Sequence, residues 1–131
     1  MGETVLVEGK VTDAIKLIQK LDAGGDAPSM AVWYFYDDAD EWRLLIAGPT
    51  FDTLLPKQEP VAYKKLVEAL ASLSLSSLSI SDLKLVETKS PLAKSLGHLI
   101  RTDPTGITQA HFINTTLNRI FIKEMIILRS A

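Results

Sequence analysis

The segment that most constrains the fold is residues 30–49, which read MAVWYFYDDADEWRLLIAGP. Two runs of aromatic and branched aliphatic residues flank a short acidic segment, a pattern typical of a β-hairpin. If residues 37–40 form the loop, Tyr36 lies opposite Glu41, and this pair sets the register of both strands. The face predicted to point into the core then carries Ala31, Trp33, Phe35, Trp42, Leu44 and Ile46.

The acidic tip of this hairpin, which includes Asp37, Asp38, Asp40 and Glu41, is predicted to be a turn and not a metal site. Asp is favoured in such loops because its carboxylate accepts hydrogen bonds from nearby backbone N–H groups. A calcium-binding loop of the EF-hand type needs a Gly and a distant Glu that DDADEW does not supply. The chain also has no Cys, which excludes disulfides and thiolate metal sites. We therefore expect no metal and no cofactor.

Helical periodicity and capping residues predict three helices, at 4–22, at 60–72, and from Ser90 to about Ile100. Further strands are predicted at 83–88 and in two runs within 107–128, which are joined by a turn at Asn118 and Arg119. Residues 48–60 are predicted to be a long loop. The chain of 131 residues is thus predicted to be a single α+β domain (1–131) of order α-β-β-α-β-α-β-β. Its three helices pack on a mostly antiparallel five-stranded sheet, with a core that also includes Leu66, Leu70, Leu92 and Leu96.

Charge and hydropathy argue against two classes of partner. The chain carries 14 Lys and Arg against 16 Asp and Glu, and its basic residues are spread over several elements, so we expect no nucleic-acid partner. No uncharged apolar stretch reaches the roughly 18 residues of a membrane helix, so we expect no membrane partner. The first ten residues lack a basic segment followed by an apolar run, which argues against a signal peptide. We expect a cytoplasmic protein.

The motifs of common catalytic sites are absent: there is neither a G-x-S-x-G elbow nor a glycine-rich phosphate loop. The best candidates for a ligand site are Arg43 on an apolar strand, Asp52 in the 48–60 loop, and His111 in a strand. An Arg suits an anion, and a His suits proton transfer. These three residues define one hypothesis, a small enzyme or small-ligand binder that uses the 48–60 loop.

The second hypothesis rests on the other face of the sheet, which a two-layer domain normally fills with polar residues. Here it is apolar, so either helices cover both faces or this face is an interface. An exposed apolar face usually marks a contact site, and a homodimer is the commonest contact. We therefore favour a non-catalytic interaction module that forms a homodimer or binds another protein. The predicted interface residues are Val32, Tyr34, Tyr36, Leu45, Phe121, Met125 and Ile127.

Five segments carry a resemblance to other proteins: WYFY at 33–36, EWRLLIAGP at 41–49, AYKKLVEAL at 62–70, DLKLVETKSPLAKSL at 82–96 and NRIFIKEMIIL at 118–128. Together they resemble a poorly described group of small bacterial proteins of unknown function. The resemblance implies a single α+β domain. It implies no activity and carries no catalytic residue over to this chain.

Overall fold

The computed structural model of the protein describes residue 6 and residues 8–131. The chain folds as one α+β domain, as predicted. The part of the first predicted helix before residue 8 lies largely outside the described residues. The elements in chain order are α1 (Glu8–Ala23), β1 (Met30–Tyr36), β2 (Glu41–Ala47), α2 (Pro49–Leu54), α3 (Glu59–Ala71), a 3₁₀ turn (Ile80–Asp82), β3 (Leu83–Leu85), α4 (Pro91–Leu99), β4 (Ala110–Leu117) and β5 (Ile120–Ser130).

The five strands form one sheet in the order β3-β2-β1-β5-β4. The predicted hairpin register is confirmed, since Tyr36 pairs with Glu41 and Phe35 with Trp42. The sheet is mixed and not mostly antiparallel, because β3 runs parallel to β2. The reason is the connection: α2 and α3 carry the chain from the end of β2 back to the start of β3, which a parallel pair requires.

The described residues contain four α-helices where three were predicted. The additional helix is α2, which occupies the first half of the predicted 48–60 loop. Pro49 starts it, since a proline is well tolerated in the first turn of a helix. Phe51, in the same helix, is fully buried against the sheet. Six residues are too few to show a helical period in the sequence, so the pattern gave no sign of this element.

Helices cover the sheet on both faces, which gives the domain three layers. α1, α2 and α3 cover one face, and the buried residues there include Trp33, Leu44 and Leu66. The apolar side of α4 covers part of the other face through Leu96. All ten predicted core residues are buried or pack against a core; Leu70 and Leu92 are the two that are only partly buried.

Arg129 ties the sheet to the α1 side of the domain from a fully buried position near the end of β5. Its guanidinium binds the Asp22 carboxylate at two points, Nη1–Oδ1 at 2.8 Å and Nη2–Oδ2 at 2.9 Å. Nη1 also donates to the carbonyl of Pro28 at 3.1 Å, and Nε donates to that of Gly106 at 2.9 Å. One side chain therefore joins β5 to the end of α1 and to two loops.

A β-bulge makes this contact possible. Ala31 pairs with Arg129 and Val32 with Ile127, so Leu128 is one extra residue in β5. Under strict alternation Arg129 would share the face of Ile127, which packs beneath α4. The extra residue turns Arg129 to the opposite face of the sheet. Asp22, in the last turn of α1, lies on that face.

Asp13 anchors the serine-rich connector between α3 and β3 to the side of α1. Its carboxylate is buried, and Oδ2 accepts the backbone N–H groups of Ser77 at 2.7 Å and Leu78 at 3.0 Å. The approach is close: a Cβ added at Gly9, one turn earlier in α1, would lie 2.7 Å from Ser77 Oγ. The connector is therefore fixed by a helix side chain, although its sequence has low complexity.

We expect Asp13→Ala to lower the free energy of unfolding by about 1–3 kcal/mol for each backbone N–H that loses its acceptor. Asp13→Asn is the matched control, because its amide oxygen can still accept both hydrogen bonds, and we expect it to retain most of the stability. Urea unfolding of the three proteins measures the difference. Equal losses in the two variants would contradict the role of the acceptor oxygen.

Candidate functional site

The structure does not bring Arg43, Asp52 and His111 together. Arg43 is on β2 and His111 is on β4, so two strands lie between them, a separation of about 14 Å at the usual strand spacing. The two side chains also point to opposite faces. The neighbours of Arg43 in β2 pack in the core beneath α1, and the neighbours of His111 in β4 pack towards α4.

Each of the three residues has its own partner. Arg43 Nε donates to Glu41 Oε2 at 2.6 Å, and this hydrogen bond raises the pKa of Arg43 further above its usual range. His111 Nε2 lies 2.7 Å from Glu124 Oε2 on the adjacent strand. The three residues therefore form three separate local contacts and not one cleft.

Asp52, in α2, holds the loop that follows β3. Its Oδ1 accepts the backbone N–H of Thr88 at 3.0 Å, and its Oδ2 accepts the Thr88 hydroxyl. This bond also explains why β3 ends at Leu85 and not at the predicted Thr88: the backbone N–H of Thr88 bonds to a side chain and not to a strand. In this structure Asp52 has the contacts of a structural residue.

The acidic tip of the hairpin engages its neighbours in two ion pairs. Asp37 Oδ1 accepts from Lys123 Nζ at 3.2 Å, while Glu41 is held by Arg43. Asp40 adopts a left-handed backbone conformation, φ 53°, and its N–H donates to the Asp37 carbonyl, as a turn requires. Across residue 6 and residues 8–131, no group of three or more His, Asp or Glu side chains is arranged to hold a metal ion.

The predicted interface divides into a covered part and an open part. Val32, Leu45, Met125 and Ile127 are fully buried in the core beneath α4, so within this chain they are not available to a partner. For these four residues the helix, and not a second copy, covers the apolar face. Tyr34 and Tyr36 are half-buried, and Phe121 is exposed.

The open part lies in a gap between two hairpins. β1 and β5 pair only as far as Tyr34 and Met125, although β1 continues to Tyr36 and β5 begins at Ile120. The β1–β2 and β4–β5 hairpins therefore separate at their tips. The space between them, about 250 Å³, is called the hairpin cleft below; it is lined by Tyr34, Phe35, Tyr36, Asp37, Asp38, Phe121 and Lys123.

Part-way along the β4–β5 hairpin, the side chains of β5 change the face of the sheet to which they point. This change accompanies the separation of the hairpin tips. Ile113 pairs with Glu124 and Thr115 with Ile122, while Asn114, between them, has a left-handed φ of 49°. Both Met125 and Ile122, three residues apart in β5, pack towards α4, which strict alternation forbids. The tip of this hairpin is consequently turned relative to its base, and Phe121 reaches the cleft.

Lys123 crosses the cleft and connects its two walls. In addition to its ion pair with Asp37, its ammonium lies 5.7 Å from the centre of the Phe35 ring. The rings of Tyr34 and Tyr36 pack in a tilted arrangement on the β1 wall, with centres 4.9 Å apart and planes 56° to each other. The sequence pattern identified the tyrosines and Phe121 but not Lys123, because its partner Asp37 is 86 residues away in the chain.

Comparison with protein-family models, with curated proteins and with solved structures gives no match. The resemblance to a group of small bacterial proteins therefore stays a prediction. Among the described residues, no helix combines the length and the apolar character needed to cross a membrane.

Burial raises the pKa of Tyr34 above its ordinary value of 10.0, and repulsion from the Tyr36 phenolate raises it further. As the pH rises past 10 the unfolded chain ionises at this position before the folded chain does, so the free energy of unfolding falls. We expect Tyr34→Phe to remove part of this loss.

The measurement is a tyrosine absorbance titration of the wild type and of Tyr34→Phe, with urea unfolding at pH 8 and about pH 10.5. The difference between the two titration curves gives the ionisation of Tyr34 alone. A midpoint at or below 10 would show that the cleft does not shield this phenol.

Proposed function

We propose that the protein is a non-catalytic interaction module that forms a homodimer through the hairpin cleft. The observation that carries the proposal is the exposure of apolar side chains on the β4–β5 hairpin. Ile113 is 60% exposed and Phe121 58%, the highest values among the large hydrophobic residues described. Phe121 lines the hairpin cleft, whereas Ile113 lies outside it on β4. Exposed apolar side chains are typical of contact surfaces.

The composition of the cleft also supports a protein contact. Tyrosines supply apolar area together with a polar tip, and they are enriched in interfaces. Tyr34 and Tyr36 meet this description, and Phe121 faces them across the gap. An interface of this kind is smaller than the full sheet face expected from the sequence, because α4 covers the rest.

Charge favours a second copy of the chain as the partner. The cleft carries both signs, with Lys123 on one wall and Asp37 and Asp38 on the other. Asp38 is exposed and makes no ion pair within the described residues. In a two-fold arrangement Lys123 of one copy would approach Asp38 of the other, and the same contact would occur twice.

Pairing through the free edge of β4 is a weaker basis for the dimer. Asn114 interrupts the extended backbone in the middle of this edge strand. Such irregularities discourage edge-to-edge pairing. The contact we propose is therefore made by side chains and not by extension of the sheet.

A cytoplasmic location and a bacterial source belong to the same proposal. The absence of Cys fits a reducing compartment, and the sequence resemblance supports a bacterial source. The net charge of −2, with basic residues spread over several elements, favours a protein partner over nucleic acid. No observation favours the alternative of a small enzyme that uses Arg43, Asp52 and His111, since these residues do not converge.

Light scattering coupled to size exclusion tests the proposal. We expect the wild type at micromolar concentration to have twice the 14.4 kDa mass of one chain. We expect Ile113→Glu with Phe121→Glu to give a folded monomer, because unpaired charges buried in an interface cost several kcal/mol. Both positions are exposed in the single chain, so the fold should tolerate the change.

The matched control is Val61→Glu with Val67→Glu, which places two charges on exposed apolar positions of α3. This variant should remain a dimer. A wild type with the mass of one chain at every concentration would end the proposal. A dimer that survives the changes at Ile113 and Phe121 would show that the interface lies elsewhere.

A further inference from the structure

A second cavity, of about 220 Å³, lies between α4 and the end of the sheet where β1 begins and β5 ends. It is separate from the hairpin cleft and shares no lining residue with it. α4 and the residues after it contribute Lys94, Gly97, His98 and Arg101 to one wall. Ser29, Met30, Ser130 and Ala131 form the opposite wall, and Thr88 closes one side.

The wall on the α4 side carries three side chains with N–H donors: Lys94, His98 and Arg101. Lys94 and His98 are one helical turn apart and so share a face of α4. Arg101 follows the helix and folds back, because its Nε donates to the Gly97 carbonyl at 3.2 Å. This bond uses one of its donors and leaves the two terminal nitrogens available for a ligand.

Lys94 and Arg101, the two cationic side chains of this wall, form no ion pair with an Asp or Glu of the described residues. No Asp or Glu side chain lines the cavity. Asp52, whose partner Thr88 lines the cavity, binds Thr88 through both of its oxygens. Like charges gathered around a small cavity favour the entry of an anion.

The sheet side supplies the hydroxyl of Ser130, which faces the cavity. Ser130 is only 4% exposed, and its backbone N–H donates to Thr102 Oγ1. Its own hydroxyl makes no hydrogen bond to the described residues, although it belongs to the lining of the cavity. Because Ser130 lines the cavity, this hydroxyl is open to a ligand that enters it.

We propose that this cavity binds the phosphate group of a small phosphate monoester. The dianion would be balanced by Lys94 and Arg101, with hydrogen bonds from His98 and Ser130. Arg and Lys together with a hydroxyl are the donors that phosphate groups usually meet in proteins. The volume is below the 300–1,000 Å³ or so of a site for drug-sized ligands, so only a small group fits inside.

Gly97 provides a way to block the cavity without changing its charge. A Cβ added there meets no atom closer than Arg101 Nη2, at 3.9 Å. The position is in α4, where leucine is a better helix former than glycine. We therefore expect Gly97→Leu to fold normally and to place its side chain in the space that the phosphate needs.

Calorimetric titration with inorganic phosphate at constant ionic strength tests the site. We expect saturable binding, and we expect Lys94→Gln and Arg101→Gln each to raise the Kd about tenfold or more, since a charge-assisted hydrogen bond is lost. Gly97→Leu should abolish binding and leave the melting temperature unchanged or higher. Lys89→Gln, which removes an exposed charge outside the cavity, should leave the Kd unchanged.

Titration with acetate distinguishes phosphate from a carboxylate ligand. Acetate that binds as tightly as phosphate would overturn the assignment to phosphate. Because Ala131 lines the cavity, the titration is repeated with a variant that continues past Ala131 with Gly-Ser, so that no terminal carboxylate competes there. Absence of saturable phosphate binding in both forms, or a Kd unaffected by Gly97→Leu, would overturn the site itself. Neither outcome depends on whether the protein is a dimer.

Discussion

The guanidinium of Arg129 is the contact on which the arrangement of layers depends. It is the largest buried polar group of the described chain, and its donors reach a carboxylate at the end of α1 and two loop carbonyls. A buried guanidinium must be paired, since removing its partner leaves an uncompensated charge. The bulge at Leu128 and the position of α1 are therefore linked: each is required for Arg129 to meet Asp22.

The second structural determinant is the extent of α4. This helix has nine residues and covers only part of the sheet face opposite α1. Where it lies, the apolar face is an ordinary core. Beyond it, the two hairpins separate and leave aromatic side chains at their tips, which are the basis of the proposed dimer. The charged side of α4 borders the cavity proposed to bind phosphate. One short helix therefore covers part of the sheet and also forms a wall of this cavity.

The sequence predicted those parts of the fold that depend on local patterns. The hairpin at 30–47 was correct in register because side-chain alternation and an acidic turn specify it together. The parallel direction of β3 was not predictable, since three residues carry no sign of their direction. Arg129 was not identified from the sequence for a related reason: strict alternation would put it on the face of Ile127, and only the bulge turns it to the face of α1. The grouping of Arg43, Asp52 and His111 failed because it required the strand order, which local patterns do not determine. The α4 cavity joins residues 36 to 101 positions apart in sequence, so only the fold brings Ser29, Lys94 and Ser130 together.

The most direct test of this account is a double-mutant cycle between Arg129 and Asp22. The free energy of unfolding is measured for the wild type, Arg129→Met, Asp22→Asn and the double variant. We predict that the two single changes are strongly non-additive, with a coupling energy of about 1–3 kcal/mol, since each removes the same buried contact. A coupling energy near zero would show that the two side chains stabilise the fold independently and that Arg129 does not join the layers.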